Sequence, residues 1–284
     1  MSDSTRWFVT GAGGQLATAL AAVLDGEVFL SREEALDIRD EAAVYAAVHA
    51  FAPDFLIHAA AYTDVDGAET HPELAQAVNV GGTRSVVRAV RGTHTTLVYL
   101  SSDYVFDGAK GSPYVESDRT GPLGVYARTK LEGELAVLEW ARGIVVRTAW
   151  MFSDAGHNFV RTILRAGRES AAAGEHLRVV DDQVGSPTYA PHLAAAIADL
   201  LAGGAGAGIY HLAGGGYCSW WELAREVVEL AGIDVEVLPI TTAEAGRPAP
   251  RPAFSALASE RPVPHLPHWA DGVAECVDRL IPLG

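Results

Sequence analysis

Short apolar runs alternate with amphipathic stretches through the first 150 residues, and this alternation constrains the fold more than any other feature of the chain. The runs Trp7-Phe8-Val9-Thr10, Val28-Phe29-Leu30, Phe55-Leu56-Ile57-His58, Leu97-Val98-Tyr99-Leu100 and Ile144-Val145-Val146-Arg147 are short and rich in β-branched or aromatic side chains, which predicts strands. Helical patterns over 15–24, 40–51, 73–91 and 125–141 fall between and beside them. A strand, a crossover helix and a second strand form a βαβ unit, and its right-handed connection lays the strands parallel. The expectation for 1–150 is therefore an α/β architecture, a Rossmann-type doubly wound parallel sheet.

After residue 150 the pattern loosens. Helices are expected at 158–168, 190–202 and 219–231, with short strands at 177–180 and 208–212. From 239 onward Pro239, Pro248, Pro250, Pro252, Pro262, Pro264 and Pro267 predict an irregular lobe. Residues 151–284 thus read as a smaller C-terminal α/β lobe for substrate, with segments returning to the first domain. The run Gly203 to Gly208 leads from a helix into a strand; a phosphate loop leads from a strand into a helix, so this run reads as a connector.

Charge removes whole classes of partner. The 284 residues carry 36 acidic and 21 basic side chains, a net charge of −15, which repels phosphate backbones and anionic lipid. Neither nucleic acid nor a membrane surface is expected to bind. The two cysteines, Cys218 and Cys276, make no disulfide framework and no metal-ligand spacing, so a reducing cytoplasm is expected. No apolar run approaches the roughly 18 residues of a membrane span, and Met1 to Arg6 lacks the apolar core of a signal peptide.

The turn Gly11-Ala12-Gly13-Gly14-Gln15-Leu16-Ala17 closes the first strand and opens the first helix. Glycines there allow a tight turn and bring backbone N–H groups close to a pyrophosphate, which then rests on a helix N-terminus. The spacing is G-x-x-G-x-x-A, not the strict G-x-G-x-x-G. A carboxylate about 20 residues past the first glycine would grip the ribose 2′-hydroxyl of NAD. That region instead reads Leu30-Ser31-Arg32, a hydroxyl beside a guanidinium, which suits a 2′-phosphate. NADPH is favoured, with NADH the alternative. Asp37 and Ile38 follow strand two, where they would meet the adenine. Ala59-Ala60-Ala61 follows strand three, where small side chains admit a flat cofactor.

Tyr126 and Lys130 stand four apart in Tyr126-Ala127-Arg128-Thr129-Lys130, on one face of a helix. An ammonium beside a phenol favours phenolate, and the expectation is a phenol pKa pulled down from about 10 toward 7. Ser101-Ser102 closes strand four. Because parallel sheets bind ligands outside the carboxyl ends of their strands, Ser102, Tyr126 and Lys130 are expected to converge on one crevice. Ser101 should face the opposite side of the strand.

On these residues the chain resembles the extended short-chain dehydrogenase/reductases, and among them the dTDP-4-dehydrorhamnose reductase family. The matching stretches span nearly the whole chain: Ala59 to Asp66, Asn79-Val80-Gly81-Gly82-Thr83, Ser101-Ser102-Asp103-Tyr104-Val105-Phe106-Asp107-Gly108, Pro113 to Glu116, and Arg147 to Trp150. Further along come Asn158-Phe159-Val160, Asp182-Gln183-Val184-Gly185-Ser186-Pro187-Thr188, Gly208 to Ala213, and Arg251 to Ser255. The resemblance implies reduction of the C4 ketone of a dTDP-linked 4-dehydro-6-deoxyhexose. It makes Tyr126 the proton donor, Lys130 the residue that holds the nicotinamide ribose and acidifies Tyr126, and Ser102 the hydrogen-bond donor to the ketone. Asn79 joins the cofactor side, Asp103 and Trp150 touch substrate, and the nucleotide diphosphate lies near Asn158.

The chain departs from the family in places. Ser102 stands where threonine is usual, and Pro122-Leu123-Gly124-Val125-Tyr126-Ala127 replaces P-L-N-x-Y-G, so Gly124 caps its helix less well than asparagine would. Some relatives dimerise through magnesium, but the acidic position after P-T-x-x is here Pro191-His192, so no metal is expected and the protein is taken as a monomer or homodimer. His265 and His268 read as surface groups, Trp220-Trp221 as packing and Asp181-Asp182 as a turn. The alternatives are a reductase of another dTDP-ketosugar (a dihydrostreptose or antibiotic deoxysugar type), a nucleotide-sugar epimerase or dehydratase, and a non-catalytic regulatory subunit. The dehydratases carry Thr-Asp-Glu where this chain has Ser102-Asp103-Tyr104, without the second acid.

Overall fold

The computed structural model of the protein describes residues 4–281. The first half runs β1 (Arg6–Thr10), α1 (Gln15–Val23), β2 (Glu27–Ser31), α2 (Glu41–Phe51), β3 (Phe55–His58), α3 (Val65–Thr70), α4 (Pro72–Gln76), α5 (Thr83–Val90), β4 (Thr96–Ser102), α6 (Val125–Leu138) and β5 (Gly143–Thr148). The second half continues with β6 (Met151–Phe152), α7 (Phe159–Ala173), β7 (Leu177–Val180), β8 (Val184–Gly185), β9 (Thr188–Tyr189) and α8 (Ala190–Ala202). It ends with β10 (Gly208–His211), β11 (Cys218–Ser219), α9 (Trp220–Leu230), β12 (Val237–Ile240), α10 (Thr242–Ala245) and α11 (Trp269–Leu280).

Six strands form one sheet in the order β10-β5-β4-β3-β1-β2, and every pairing in it is parallel. Both faces are covered, which is why the central strands are apolar along their whole length and not alternating. On one face Leu16 and Leu20 of α1 meet Leu193 and Ile197 of α8 over Val9, Ile57 and Val98. On the other, Val44 and Val48 of α2, Val86 and Val90 of α5, and Val137 of α6 pack over Phe8, Leu56 and Val145. Strand order reverses beside β1, which has β2 on one side and β3 on the other, so a crevice opens outside the carboxyl ends of β1 and β3.

A second core lies in the C-terminal half, built on Phe152, Val160, Leu164, Leu223, Val227, Val273 and Val277. The chain crosses between the two cores: β10 pairs with β5 at the edge of the large sheet, and α8 packs on α1. Among the described residues no helix is long and apolar enough to cross a membrane.

Two expectations change. The stretch 73–91 is not one helix: α4 and α5 are joined by a π-helical turn over Ala77–Gly82, preceded by α3. The wider turn carries Asn79, whose side chain pairs with the Tyr62 backbone, donating to its carbonyl and accepting from its N–H. The C-terminal lobe is also more regular than its prolines suggest. β12 pairs with β7, and α11 follows directly after the proline cluster, with Val273, Cys276 and Val277 on its buried face. Those prolines end short of Trp269 and so delimit the helix instead of preventing it.

Candidate active site

One cleft of about 930 Å³ opens at the carboxyl edge of the sheet. It gathers most of the residues singled out from the sequence: Gly11, Gly13, Gly14, Gln15 and Leu16; Ser31, Asp37 and Ile38; Ala59, Ala60 and Ala61; Ser102, Asp103 and Tyr126; and Trp150 from the second half.

The glycine turn fits a dinucleotide. Gly11 and Gly13 have φ of 79° and 91°, the left-handed region that favours glycine. A Cβ on Gly11 would stand 2.8 Å from the Ala60 backbone nitrogen, so the turn and the end of β3 approach as closely as backbones allow. No side chain caps α1, which leaves its N-terminus to an anion from outside. The Arg32 guanidinium lies 3.6 Å from where a Gly13 Cβ would be, at the rim and not in the wall. Arg39, also at the cleft, is held by Asp37 through contacts of 2.6 to 3.0 Å.

Gln15 ties this turn to the second lobe. Its Oε1 accepts hydrogen bonds from Ser153 Oγ at 2.9 Å and from Asn158 Nδ2 at 3.0 Å. Asn158 is buried, and its Oδ1 caps α7 by accepting from the Arg161 N–H. It therefore stands behind the cleft wall, which Gly156 and His157 form in its place. Asn79 is likewise behind the wall, donating to Thr129 Oγ1 at 2.9 Å.

The reacting end is built by β4 and α6. Ser102 is the last residue of β4, and its Oγ accepts from the Tyr104 N–H at 3.2 Å and donates to Asp103 Oδ1 at 3.0 Å. Tyr126 is the second residue of α6, and its phenol faces Ser102. Gly124 offers α6 no cap; the Glu69 carboxylate of α3 reaches over and accepts from the Val125 N–H at 2.7 Å. A Cβ at position 124 would sit 2.8 Å from that carboxylate, so the glycine admits it.

Lys130 behaves differently from the expectation. It lies one turn below Tyr126, 3% exposed and outside the cleft lining. Its Nζ donates to the Leu100 carbonyl at 2.6 Å and sits 4.1 Å above the Tyr99 ring. Burial pushes this ammonium down to about 7, with Glu134 opposing. The phenol of Tyr126 is not lowered: burial pushes it up to about 12, with the Ser102 hydrogen bond opposing and the Asp103 charge adding. The reason is that desolvation acts on both groups, and the ammonium is committed to a backbone carbonyl.

Asp103 is 2% exposed, and Ser255 Oγ of the C-terminal segment donates to its second oxygen at 2.5 Å. Burial raises this carboxyl to about 7 against the hydrogen bonds from Ser255, Ser102 and the backbone N–H groups of Asp103 and Tyr104.

Trp150 holds the opposite wall. Its φ of 46° is unusual for a bulky residue, and its ring lies flat on Trp220 at 3.5 Å. Gly185 makes room, since a Cβ there would stand 2.4 Å from the Trp150 ring. Trp220 and Trp221 pack against the second core as expected, and Trp220 also lines the cleft; nothing in their spacing reveals a partner 70 positions earlier. Tyr62, Thr63 and Tyr104 also line the cleft; each lies within a stretch quoted for the family resemblance, although none was named as a site residue.

A family model described as RmlD substrate binding domain matches residues 5–281. The dTDP-4-dehydrorhamnose reductase of Streptomyces griseus is 42% identical across 97% of this chain and 94% of its own. The dTDP-4-keto-6-deoxy-D-glucose reductase of Streptomyces niveus is 37% identical across 97% of both. A dTDP-4-dehydrorhamnose reductase from Bacillus anthracis, solved in complex with NADP, superposes with a TM-score of 0.91 at 35% identity, covering 96% of this chain and 98% of the other.

Proposed function

Starting from a chain that belongs to the RmlD substrate binding domain family, that of the dTDP-4-dehydrorhamnose reductases, we propose that this protein reduces the C4 ketone of a dTDP-4-dehydro-6-deoxyhexose. The first candidate is dTDP-4-dehydro-L-rhamnose, giving dTDP-L-rhamnose. Residues 1–150 would chiefly hold NADPH and 151–284 chiefly the nucleotide sugar. The observation that carries the reading is the meeting, in one cleft, of a glycine turn fitted to a dinucleotide with Ser102, Asp103 and Tyr126.

NADPH, when bound, supplies the hydride. Gly11, Gly13 and Gly14 would hold the pyrophosphate, and Arg32 with Ser31 would hold the 2′-phosphate. Ala59, Ala60 and Ala61 leave space along the end of β3. Ser102 donates a hydrogen bond to the ketone oxygen as negative charge builds there. Tyr126, held neutral by burial, gives its phenolic proton to that oxygen. Lys130 holds its ammonium under Tyr126, where it opposes the charge of the phenolate left behind. Trp150, backed by Trp220, presents a flat apolar wall to the sugar.

Loss of nicotinamide absorbance on mixing protein, NADPH and the ketosugar tests the reading. Wild type is expected to turn over, and Tyr126→Phe to lose at least 100-fold in kcat, within the range of about 10²–10⁴ for a proton donor. No oxidation by wild type, or undiminished oxidation by Tyr126→Phe, defeats it. A second substrate, dTDP-4-keto-6-deoxy-D-glucose, is favoured by the likeness to the Streptomyces niveus reductase, and a side-by-side kcat/KM comparison decides between the two.

A further inference from the structure

Ser102 has one proton and two lone pairs, and the structure gives partners to the proton and to one lone pair. One lone pair accepts from the Tyr104 N–H, and the proton goes to Asp103 Oδ1. The remaining lone pair is left for the Tyr126 phenol, which faces Ser102. In this arrangement the Ser102 proton that the reaction needs is turned away from the ketone, onto Asp103, and the lone pair left on Ser102 draws the Tyr126 proton away from the ketone as well. A proton on Asp103 Oδ1 reverses the chain. Asp103 then donates to Ser102, and the Ser102 and Tyr126 protons are both released toward the cleft.

We propose that Asp103 is a positioning residue whose proton sets the direction of the Ser102 and Tyr126 hydrogen bonds, so that the active form of the site is the one with Asp103 protonated. This rests on the reductase reading above. The surroundings permit such a proton. Among the described residues no cation contacts the Asp103 carboxyl; its partners are the hydroxyls of Ser102 and Ser255 and backbone N–H groups. The titratable groups facing it are Tyr104 and Tyr126, and Arg251 acts on Tyr104. Both phenols are raised by burial, and the Arg251 guanidinium is engaged by Asp66 at 3.0 Å and by Tyr104. Lys130 is committed to the Leu100 carbonyl. Burial places the Asp103 carboxyl at about 7, within reach of neutral solution.

Asp103→Asn fixes the donor, because its amide N–H₂ gives to Ser102 at every pH. The ratio of kcat/KM for Asp103→Asn over wild type is the readout, since it cancels every other ionisation, that of Lys130 included. The ratio is expected to stay constant below about pH 7 and to climb about tenfold per pH unit above it, the behaviour of one lost proton. In a Ser102→Ala background the climb should vanish. A ratio flat in pH with Ser102 present, or an Asp103→Asn protein inactive at every pH, overturns the proposal.

Infrared difference spectra need no substrate: a protonated-carboxyl band that titrates near neutrality and disappears in Asp103→Asn is expected, and its absence from wild type overturns the proposal. Failure of wild type to oxidise NADPH would instead strike the reductase reading and leave the infrared result standing. If Asp103→Asn does not fold, Ser255→Ala serves. Removing a hydrogen bond from the carboxylate raises its pKa, so the alkaline fall in activity should move to higher pH; a midpoint that stays or drops overturns the proposal.

Discussion

Glu134→Ala is expected to destabilise the fold by about 3–5 kcal/mol, because it strands a guanidinium inside the protein. Glu134 and Arg147 have side chains 1% and 3% exposed. They meet through two parallel bonds, Arg147 Nε to Oε1 at 2.9 Å and Nη2 to Oε2 at 2.7 Å. Arg147 otherwise contacts His211 Nε2 at 3.4 Å and lies 5.1 Å from the Phe106 ring centre, and neither is an anion. At an effective dielectric near 20, a pair 2.7 Å apart gains about 6 kcal/mol of Coulomb energy. Most of that is offset by taking two ions out of water, so the intact pair stabilises little compared with an apolar pair of the same volume. Removing one partner leaves the desolvation of the other uncompensated. The double variant Glu134→Leu/Arg147→Met should therefore cost less than Glu134→Ala alone, although it changes more atoms. Urea unfolding with an unchanged m-value measures both. If the single variant costs under about 1 kcal/mol, or the two sites prove additive, the reasoning is wrong. The pair matters to the site because Glu134 lies one turn beyond Lys130 on α6 and fixes that helix to β5.

Three other perturbations have clear expected results. His58 is buried between Thr10 and Thr83, and burial, helped by the Lys130 charge, pushes its pKa from 6.5 down to about 3. The unfolded chain therefore takes up this proton first as pH falls. The stability present above pH 6.5 should be lost toward pH 3, by up to about 1.4 kcal/mol per unit, and acid titration of His58→Gln should lack that slope. Gly185→Ala drives a methyl group into the Trp150 ring, so substrate KM should rise several-fold while the NADPH Kd holds, with about 1–3 kcal/mol of overpacking; an unmoved KM counts against Trp150 as the sugar wall. Glu69→Ala removes the acceptor on the Val125 N–H. It should cost about 1 kcal/mol of stability and lower kcat, which Glu69→Gln should largely restore.

Local periodicity carried the sheet. Strand three was read to the residue as Phe55–His58, and α8 as Ala190–Ala202, because apolar runs bounded by polar turns leave little choice of register. The cleft's cofactor side was legible for a related reason: glycines and small side chains at strand ends report backbone approach, which is local. What sequence could not supply was contact between distant segments. The cap on α6 comes from Glu69, 56 positions away; the Asp103 carboxyl is held by Ser255, 152 positions away; and the wall of Trp150 is completed by Trp220. The helix α11 was missed because prolines were weighed over the whole tail, whereas they act only on the residues beside them.

The Tyr126–Lys130 spacing was legible, but its electrostatics were not, and the difference bears on mechanism. A tyrosine with its pKa drawn toward 7 would enter a reduction partly as phenolate, without the proton it must give. Burial instead keeps the phenol neutral, its pKa up at about 12. What a proton donor needs is stabilisation that appears only as the proton leaves, since stabilising the starting state lowers no barrier. Lys130 is arranged for that. Its ammonium is fixed by the Leu100 carbonyl and the Tyr99 face, so it does not collapse onto the phenol beforehand, and Glu134 below opposes its deprotonation. On the proposed reading, charge developing on Tyr126 meets a cation already in place, at no cost of reorganisation at the moment of reaction. Lys130→Met should then reduce kcat and raise the Tyr126 pKa still further, because the phenolate loses its cation; a pKa that ultraviolet titration finds unmoved would mean the ammonium does not act on the phenolate.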